Sequence, residues 1–239
     1  MKKERIDKIL GHMGVGSRKE IKEYAKKGHI KVNGNIIKSS DIKVDPEVDI
    51  IEYLNRPVEY REYIYLMMNK PQGLISSTDD PRESLVIDLL DDYYKNFKPF
   101  PVGRLDKDTE GLLLISNDGK LAHELLSPKK KVGKTYYVEV IGLVDESYNN
   151  KFKEGITLDD GYKTLPATLG IIHSDGVSKV NLTILEGKYH QVKRMFGALG
   201  MKVTYLKRIS MGGLDLDDNL QPGEYRELSE FEIDILKRQ

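Results

Sequence analysis

Asp106 lies in the stretch Gly103-Arg104-Leu105-Asp106-Lys107-Asp108-Thr109-Glu110-Gly111-Leu112-Leu113-Leu114. Glycines frame the charged part, so the backbone can turn tightly at both ends. The apolar run that follows, Leu112 to Ser116, reads as a strand. A carboxylate on such a loop, between Arg104 and Lys107, is built to stay ionised and to face outward. An ionised aspartate can attack carbon as a nucleophile or remove a proton as a base. A charged turn alone is more often a solvated surface, so other segments must bear on it. One is Lys134-Thr135-Tyr136-Tyr137-Val138, where strand alternation sends the two tyrosines to opposite faces. One ring can then be core while the other lines a cleft and stacks on a flat base. Another is Glu186-Gly187-Lys188-Tyr189-His190-Gln191-Val192-Lys193-Arg194-Met195-Phe196. Val192, Met195, Phe196 and Leu199 give a buried helix face, and Lys193 and Arg194 fall elsewhere around it, near the helix start.

Rival chemistries lack their residues. Asp106, Asp108, His123 and His190 are the candidate metal ligands, but no paired-ligand spacing joins them, and Arg104 and Lys107 would oppose a cation. No nucleophile elbow, phosphate-binding glycine loop or dinucleotide fingerprint occurs. The chain has 239 residues, equal numbers of acidic and basic side chains, and no cysteine. Thiolate metal sites and disulfides are thereby excluded, which fits a reducing cytoplasm. No stretch is long enough to span a membrane. The neutral total hides an asymmetry. Residues 1–38 hold eleven Lys or Arg and four acids, an excess of seven positive charges. A basic end on a neutral chain is the footprint of a nucleic-acid contact.

Several elements must position these groups. Ser17-Arg18-Lys19-Glu20 is a capping box that starts a helix, and Gly28 is its stop. Arg18, Lys19, Lys22, Lys26 and Lys27 lie along that helix, where a stripe can track phosphates. Asn33-Gly34 is a strong hairpin signal. A further alternation at Val48–Ile51 precedes a linker around Asn55-Arg56-Pro57. From Tyr63 onward strands alternate with helices. The pattern predicts strands at 63–69, 112–116, 135–141, 167–172, 179–185 and 202–208, and helices at 85–90, 120–126, 146–154, 191–199 and 230–237. The mixture predicts an α+β fold with a large, mainly antiparallel mixed sheet.

The Asp106 stretch resembles the central motif of the pseudouridine synthases, in the form of the branch named after the ribosomal small-subunit enzyme. Asn69-Lys70-Pro71-Gln72-Gly73 resembles a second stretch of that branch, one that packs near the active-site cleft. Arg5-Ile6-Asp7-Lys8, Gly16–Glu20 and Gly28–Gly34 resemble the RNA-binding domain first described in ribosomal small-subunit protein four. The resemblance implies a small N-terminal α/β RNA-binding domain, 1–57, and a larger pseudouridine synthase catalytic domain, 60–239. It implies that Asp106 is the catalytic carboxylate, that Tyr136 lies in the active site, and that Lys193 pairs with Asp106. Apart from the resemblance, Arg104 can contact a phosphate and help hold the flipped nucleotide, or form a salt bridge within its loop. Many relatives have arginine in place of Lys193; a lysine is a point charge, so the pairing geometry is looser. The implied reaction is isomerisation of a uridine to pseudouridine. No atom is gained or lost, so neither metal nor cofactor is demanded. The tract His190–Phe196 and the tail Gly212–Arg226 resemble the small-subunit form. The implied substrate is 16S rRNA, in its helix-18 region, on naked or partly assembled small subunits, and the expectation is a cytoplasmic monomer. The alternatives are a 23S rRNA target and a non-catalytic rRNA-binding assembly factor. A protein that only binds has no need of Asp106, Tyr136 and Lys193 together.

Overall fold

The structure is a computed structural model that describes residues 3–239. It divides into two compact units. One runs to Ile64 and takes in Leu90–Pro99; the other comprises Tyr65–Leu89 and Phe100–Gln239. The sequence places the first boundary at 57–60, but Arg56 and Pro57 are not a linker. They form a strand paired with Glu52 and Tyr53, because Leu54 and Asn55 adopt positive φ and close a two-residue hairpin.

The first unit comprises β1 (Glu4–Arg5), α1 (Ile6–His12), α2 (Arg18–Lys27), β2 (Ile30–Val32), β3 (Asn35–Ile36), β4 (Lys43–Val44), β5 (Ile51–Tyr53), β6 (Arg56–Pro57) and the short α3 (Asp92–Lys95). Ser17 and Glu20 form the reciprocal cap, and Gly28 ends α2 in the left-handed region at φ 79°. Ile6, Ile9 and Leu10 of α1 pack with Ile21 and Ala25 of α2 and with Ile30, Val44 and Ile51 from the strands. This buried face leaves Arg18, Lys19, Lys22, Lys26 and Lys27 exposed on α2.

The second unit is built on β7 (Tyr65–Lys70), β8 (Phe100–Pro101), β9 (Glu110–Ser116), α4 (Gly119–Leu126), β10 (Lys134–Ile141), α5 (Ser147–Glu154), β11 (Thr168–His173), β12 (Val177–Ile184), α6 (Gln191–Ala198), β13 (Lys202–Met211), β14 (Leu214–Asp215), β15 (Tyr225–Glu227) and α7 (Glu230–Lys237). Seven strands line up as β11-β12-β10-β13-β9-β7-β15, with β14 on β13 and β8 on β9. Every pairing is antiparallel except β13 with β9. The expected helix at 85–90 is a 3₁₀ turn, Val86–Leu89, and β15 is an edge strand that the apolar pattern does not announce. Leu121, Ala122 and Leu125 of α4 and Leu236 of α7 bury against Met67, Leu112 and Leu114 of the sheet. The parallel junction requires Gly111. It sits at φ 101° opposite Arg208, and a Cβ there would stand 2.2 Å from the Arg208 carbonyl oxygen.

Candidate active site

The loop that carries Asp106 links β8 to β9 and is fastened from beneath. Leu105 is buried, and its amide donates to Ser76 Oγ, which donates back to the Leu105 carbonyl, both at 3.1 Å. The Thr109 amide donates to the Asp106 carbonyl and closes a turn. Lys70, fully buried at the end of β7, donates through Nζ to the carbonyls of Pro71 at 2.9 Å, Thr109 at 2.9 Å and Lys107 at 3.4 Å. The Gly73 amide also donates to the Lys107 carbonyl. The turn Asn69–Gly73 therefore holds the backbone on both sides of Asp108. Burial pushes the Lys70 ammonium down to about 8, against the opposing pull of Asp108, Asp106 and Glu110.

With the backbone fixed, the Asp106 carboxylate is half-buried and faces α6. Lys193 Nζ lies 3.0 Å from Asp106 Oδ2 and 2.6 Å from Asp108 Oδ1. His190 Nε2 lies 3.6 Å from Asp106 Oδ1. Burial lowers the Lys193 pKa, but the hydrogen bonds to Asp108 and Asp106 outweigh it and leave the ammonium above its usual value. Asp108 is raised by burial and lowered further by Lys193, so it ends below the usual carboxylate range. The cation that holds Asp106, Lys193, thus comes from across the chain. Its sequence neighbour Lys107 is engaged with Glu83 at 2.6 Å. Arg104 is exposed, lines the cavity and makes no ion pair among the described residues.

Lys193 is aimed by a buried network at the start of α6. Glu186, buried, accepts from Tyr162 Oη at 2.6 Å, from the Leu165 amide at 2.9 Å and from Gln191 Nε2 at 3.1 Å. Gln191 accepts in turn from the Lys188 amide. His190 takes φ 49°, which turns the chain into the helix. Its ring stacks on that of Tyr189, 3.8 Å between centroids, and Tyr189 is 77% exposed. Arg194, the other basic residue on α6, pairs instead with Asp159 and Asp160.

Asp106 opens on a cavity of about 800 Å³ lined by Ser76–Thr78, Arg104, Lys107, Lys134, Tyr136, Lys188–His190 and Arg208. Buried and half-buried residues alternate along β10, so Lys134, Tyr136 and Val138 share the inner face. Tyr137 turns to the other side, where its ring meets Tyr205 edge to face. Tyr136 is paired with Arg208 of β13 and Lys134 with Met211, across a register shift that leaves Ile209 unopposed. That bulge brings Arg208 to the Lys134–Tyr136 face. The structure therefore brings Asp106, Tyr136, Lys193 and Arg104 around one site. Arg18, Lys19, Lys22, Lys26 and Lys27 lie in the other unit. Sequence reasoning did not single out Lys70, Lys134, Glu186, Gln191 or Arg208. Lys70, Lys134, Glu186 and Gln191 stand within motifs that it does single out, and their burial was the missing signal. Among the described residues no cluster of His, Cys, Asp and Glu can hold a metal ion. No helix there is long and apolar enough to cross a membrane.

The RNA pseudouridylate synthase profile matches residues 64–198, and the S4 domain profile matches residues 4–50. A relative from Bacillus subtilis (strain 168), an uncharacterized RNA pseudouridine synthase called YtzG, is 51% identical over 97% of this chain and 98% of its own. Ribosomal small subunit pseudouridine synthase A of Vibrio vulnificus is 42% identical over 96% of this chain and 98% of its own. Ribosomal large subunit pseudouridine synthase B of Bacillus subtilis is 39% identical over 98% and 96%. A crystal structure of a pseudouridylate synthase superposes with a TM-score of 0.68 at 40% identity and covers 97% of this chain and 99% of that one.

Proposed function

Because the chain belongs to the RNA pseudouridylate synthase family, and is by that membership an isomerase acting on RNA, we propose that its substrate is one uridine of 16S rRNA in the helix-18 region. The chemical part of the reading is supported by one observation: a half-buried carboxylate, Asp106, lies 3.0 Å from Lys193 in the cavity that Tyr136 lines. The target nucleotide leaves its stack, at a cost of a few kcal/mol, and enters that cavity. Tyr136 lies against the uracil. Asp106, held by Lys193, reacts with the sugar or the base, or removes a sugar proton. Arg104, exposed at the cavity, takes a phosphate of the flipped nucleotide. Arg18, Lys19, Lys22, Lys26 and Lys27 on α2 hold the rRNA backbone from the S4 domain. We take residues 1–57 as the RNA-binding domain and 60–239 as the catalytic one.

The small-subunit assignment draws support from the Vibrio vulnificus relative and from the tract His190–Phe196. A specific observation favours a second reading, a 23S rRNA target: the large-subunit enzyme of Bacillus subtilis is nearly as similar. Incubating the purified protein with 16S and 23S transcripts separately, then mapping pseudouridine in each, distinguishes them. Formation in the 16S transcript is expected. Formation only in the 23S transcript would move the target to the large subunit.

A further inference from the structure

Lys134 and Arg208 line the Asp106 cavity from the sheet side, and both are buried, with exposures of 6% and 1%. Lys134 Nζ donates to the Val132 carbonyl at 3.1 Å, and Arg208 Nε donates to the Leu112 carbonyl at 2.7 Å. Arg208 Nη2 is buried and has no hydrogen-bond partner. Neither cation has a carboxylate within ion-pair distance among the described residues. Two like charges buried side by side without a counter-charge are costly. Burial and the nearby Arg208 push the Lys134 ammonium down to about 8. The geometry leaves a negative partner to be supplied by whatever fills the cavity.

A phosphate of the RNA chain is a poor fit to this place, because the strand must continue outward on both sides of it. Exposed cations at the cavity, Arg104, Lys107 and Lys188, suit phosphates better. The base is the part of a flipped nucleotide that reaches inward. We propose that Lys134 and Arg208 bind the carbonyl oxygens of the uracil ring and stabilise the negative charge those oxygens gain as the bond from N1 to C1′ breaks. The inference rests on the reading of Asp106 as the reacting carboxylate. When the bond breaks, its electron pair goes to the ring and spreads over N1, O2 and O4. C1′, left electron-poor, takes a bond from Asp106 or is compensated by loss of a proton from C2′. After the ring turns, C5 gives a pair to C1′ as the bond to Asp106 breaks or as the proton returns to C2′, the C5 proton then leaves to the carboxylate, and N1 takes up a proton. The sum is an isomer. If Asp106 first adds to the base at C6, the displaced pair runs to C5 and O4, and it returns to the C5–C6 bond when the bond to Asp106 breaks again. Preorganised donors in a water-poor cavity are most effective where charge develops. The same two cations keep the detached ring in the cavity while it turns.

The test is single-turnover kinetics at saturating enzyme, on rRNA from cells that lack the protein. Lys134→Met should slow the reaction by at least about tenfold while RNA affinity stays within about threefold. Lys134→Arg, which keeps the charge, should recover most of the rate. Arg208→Met should behave like Lys134→Met, and Arg208→Lys, checked for native circular dichroism, stands in if the Met variant does not fold. On RNA made with 5-fluorouridine, whose ring carries negative charge more readily, the deficit in target consumption should shrink. An unchanged rate would overturn the inference. So would a loss confined to affinity with a shallower salt dependence, which marks a phosphate contact. Equal deficits on both RNAs would reduce the two residues to structural supports. Asp106→Asn is the control. Normal turnover by that variant would sink the underlying reading of the site, whereas an inactive Asp106→Asn beside a normal Lys134→Met would sink only this inference.

Discussion

Lys193 answers to two carboxylates at once, Asp106 at 3.0 Å and Asp108 at 2.6 Å, and its side chain is only 25% exposed. Replacing it with Met keeps most of the stem and removes the charge, so Asp106 and Asp108 would face each other without a cation between them. Single-turnover rates should fall at least about tenfold, the equivalent of about 1.4 kcal/mol. Lys193→Arg should retain more activity, because the charge survives although its shape changes. A Met variant with a normal rate and weakened RNA affinity would show a phosphate contact instead of an orienting one. Asp106, Tyr136 and Lys193 were legible in the sequence because each sits in a compact motif on one loop, strand or helix. Arg208 was not. Nothing in Lys202–Met211 marks it, and it reaches the cavity only because β13 pairs with β10 through a bulge. Lys70 was legible as part of a turn, but its three carbonyl partners lie in two separate segments that only the folded chain brings together.

Among the elements, the parallel contact of β13 with β9 is the one on which the site depends. It sets Arg208 against Gly111 near the start of β9, just beyond the turn that carries Asp106. Gly111→Ala adds a Cβ that meets the Arg208 backbone and forces φ 101° on a residue that resists it. Chemical denaturation should show a loss of about 2 kcal/mol or more. A fully stable Ala variant would contradict the close approach. Elsewhere in the unit, Glu232 closes the cap of α7 and accepts from both terminal nitrogens of Arg226, at 2.9 and 2.8 Å. The Arg226 bonds first, and then the Ser229 cap, hold the Glu232 carboxyl down at about 2, from 4.5 in the unfolded chain. A lowered carboxyl stabilises the fold fully above the unfolded value and loses that contribution as pH falls from about 4.5 to about 2. Glu232→Gln should therefore show a shallower loss of stability between about pH 4.5 and about pH 2 than the parent, measured by urea unfolding. The Ser17–Glu20 capping box was legible because Ser and Glu at the right spacing define it locally. The hairpin at Leu54-Asn55 was not, since leucine at positive φ is a conformation imposed by the strands on either side.

For the whole molecule, the proposed division of labour sets RNA binding on α2 of the first unit and the chemistry in the cavity of the second. The first unit also includes Leu90–Pro99, so removing residues 1–57 would strip those residues of their packing as well as removing the cations. A milder change keeps the unit intact: Arg18, Lys19, Lys22, Lys26 and Lys27, all exposed, replaced together by Gln. Binding to rRNA should weaken, and the log–log salt dependence should become shallower by up to about 0.9 for each phosphate left without its cation. An unchanged slope would remove α2 from the RNA interface. The α+β class and the mainly antiparallel sheet followed from the alternation of strand and helix patterns. The course of residues 90–99 did not, because membership of a unit is decided by packing and not by local pattern. The central claim is that Asp106 acts on a uridine of ribosomal RNA. Its most direct test is a pseudouridine map of all rRNA from cells that lack the protein, complemented with the parent chain or with Asp106→Asn. One pseudouridine in the helix-18 region of 16S rRNA should be missing, should return with the parent chain and should stay missing with the Asn variant. Restoration by Asp106→Asn, or a map that does not change when the protein is absent, would contradict it.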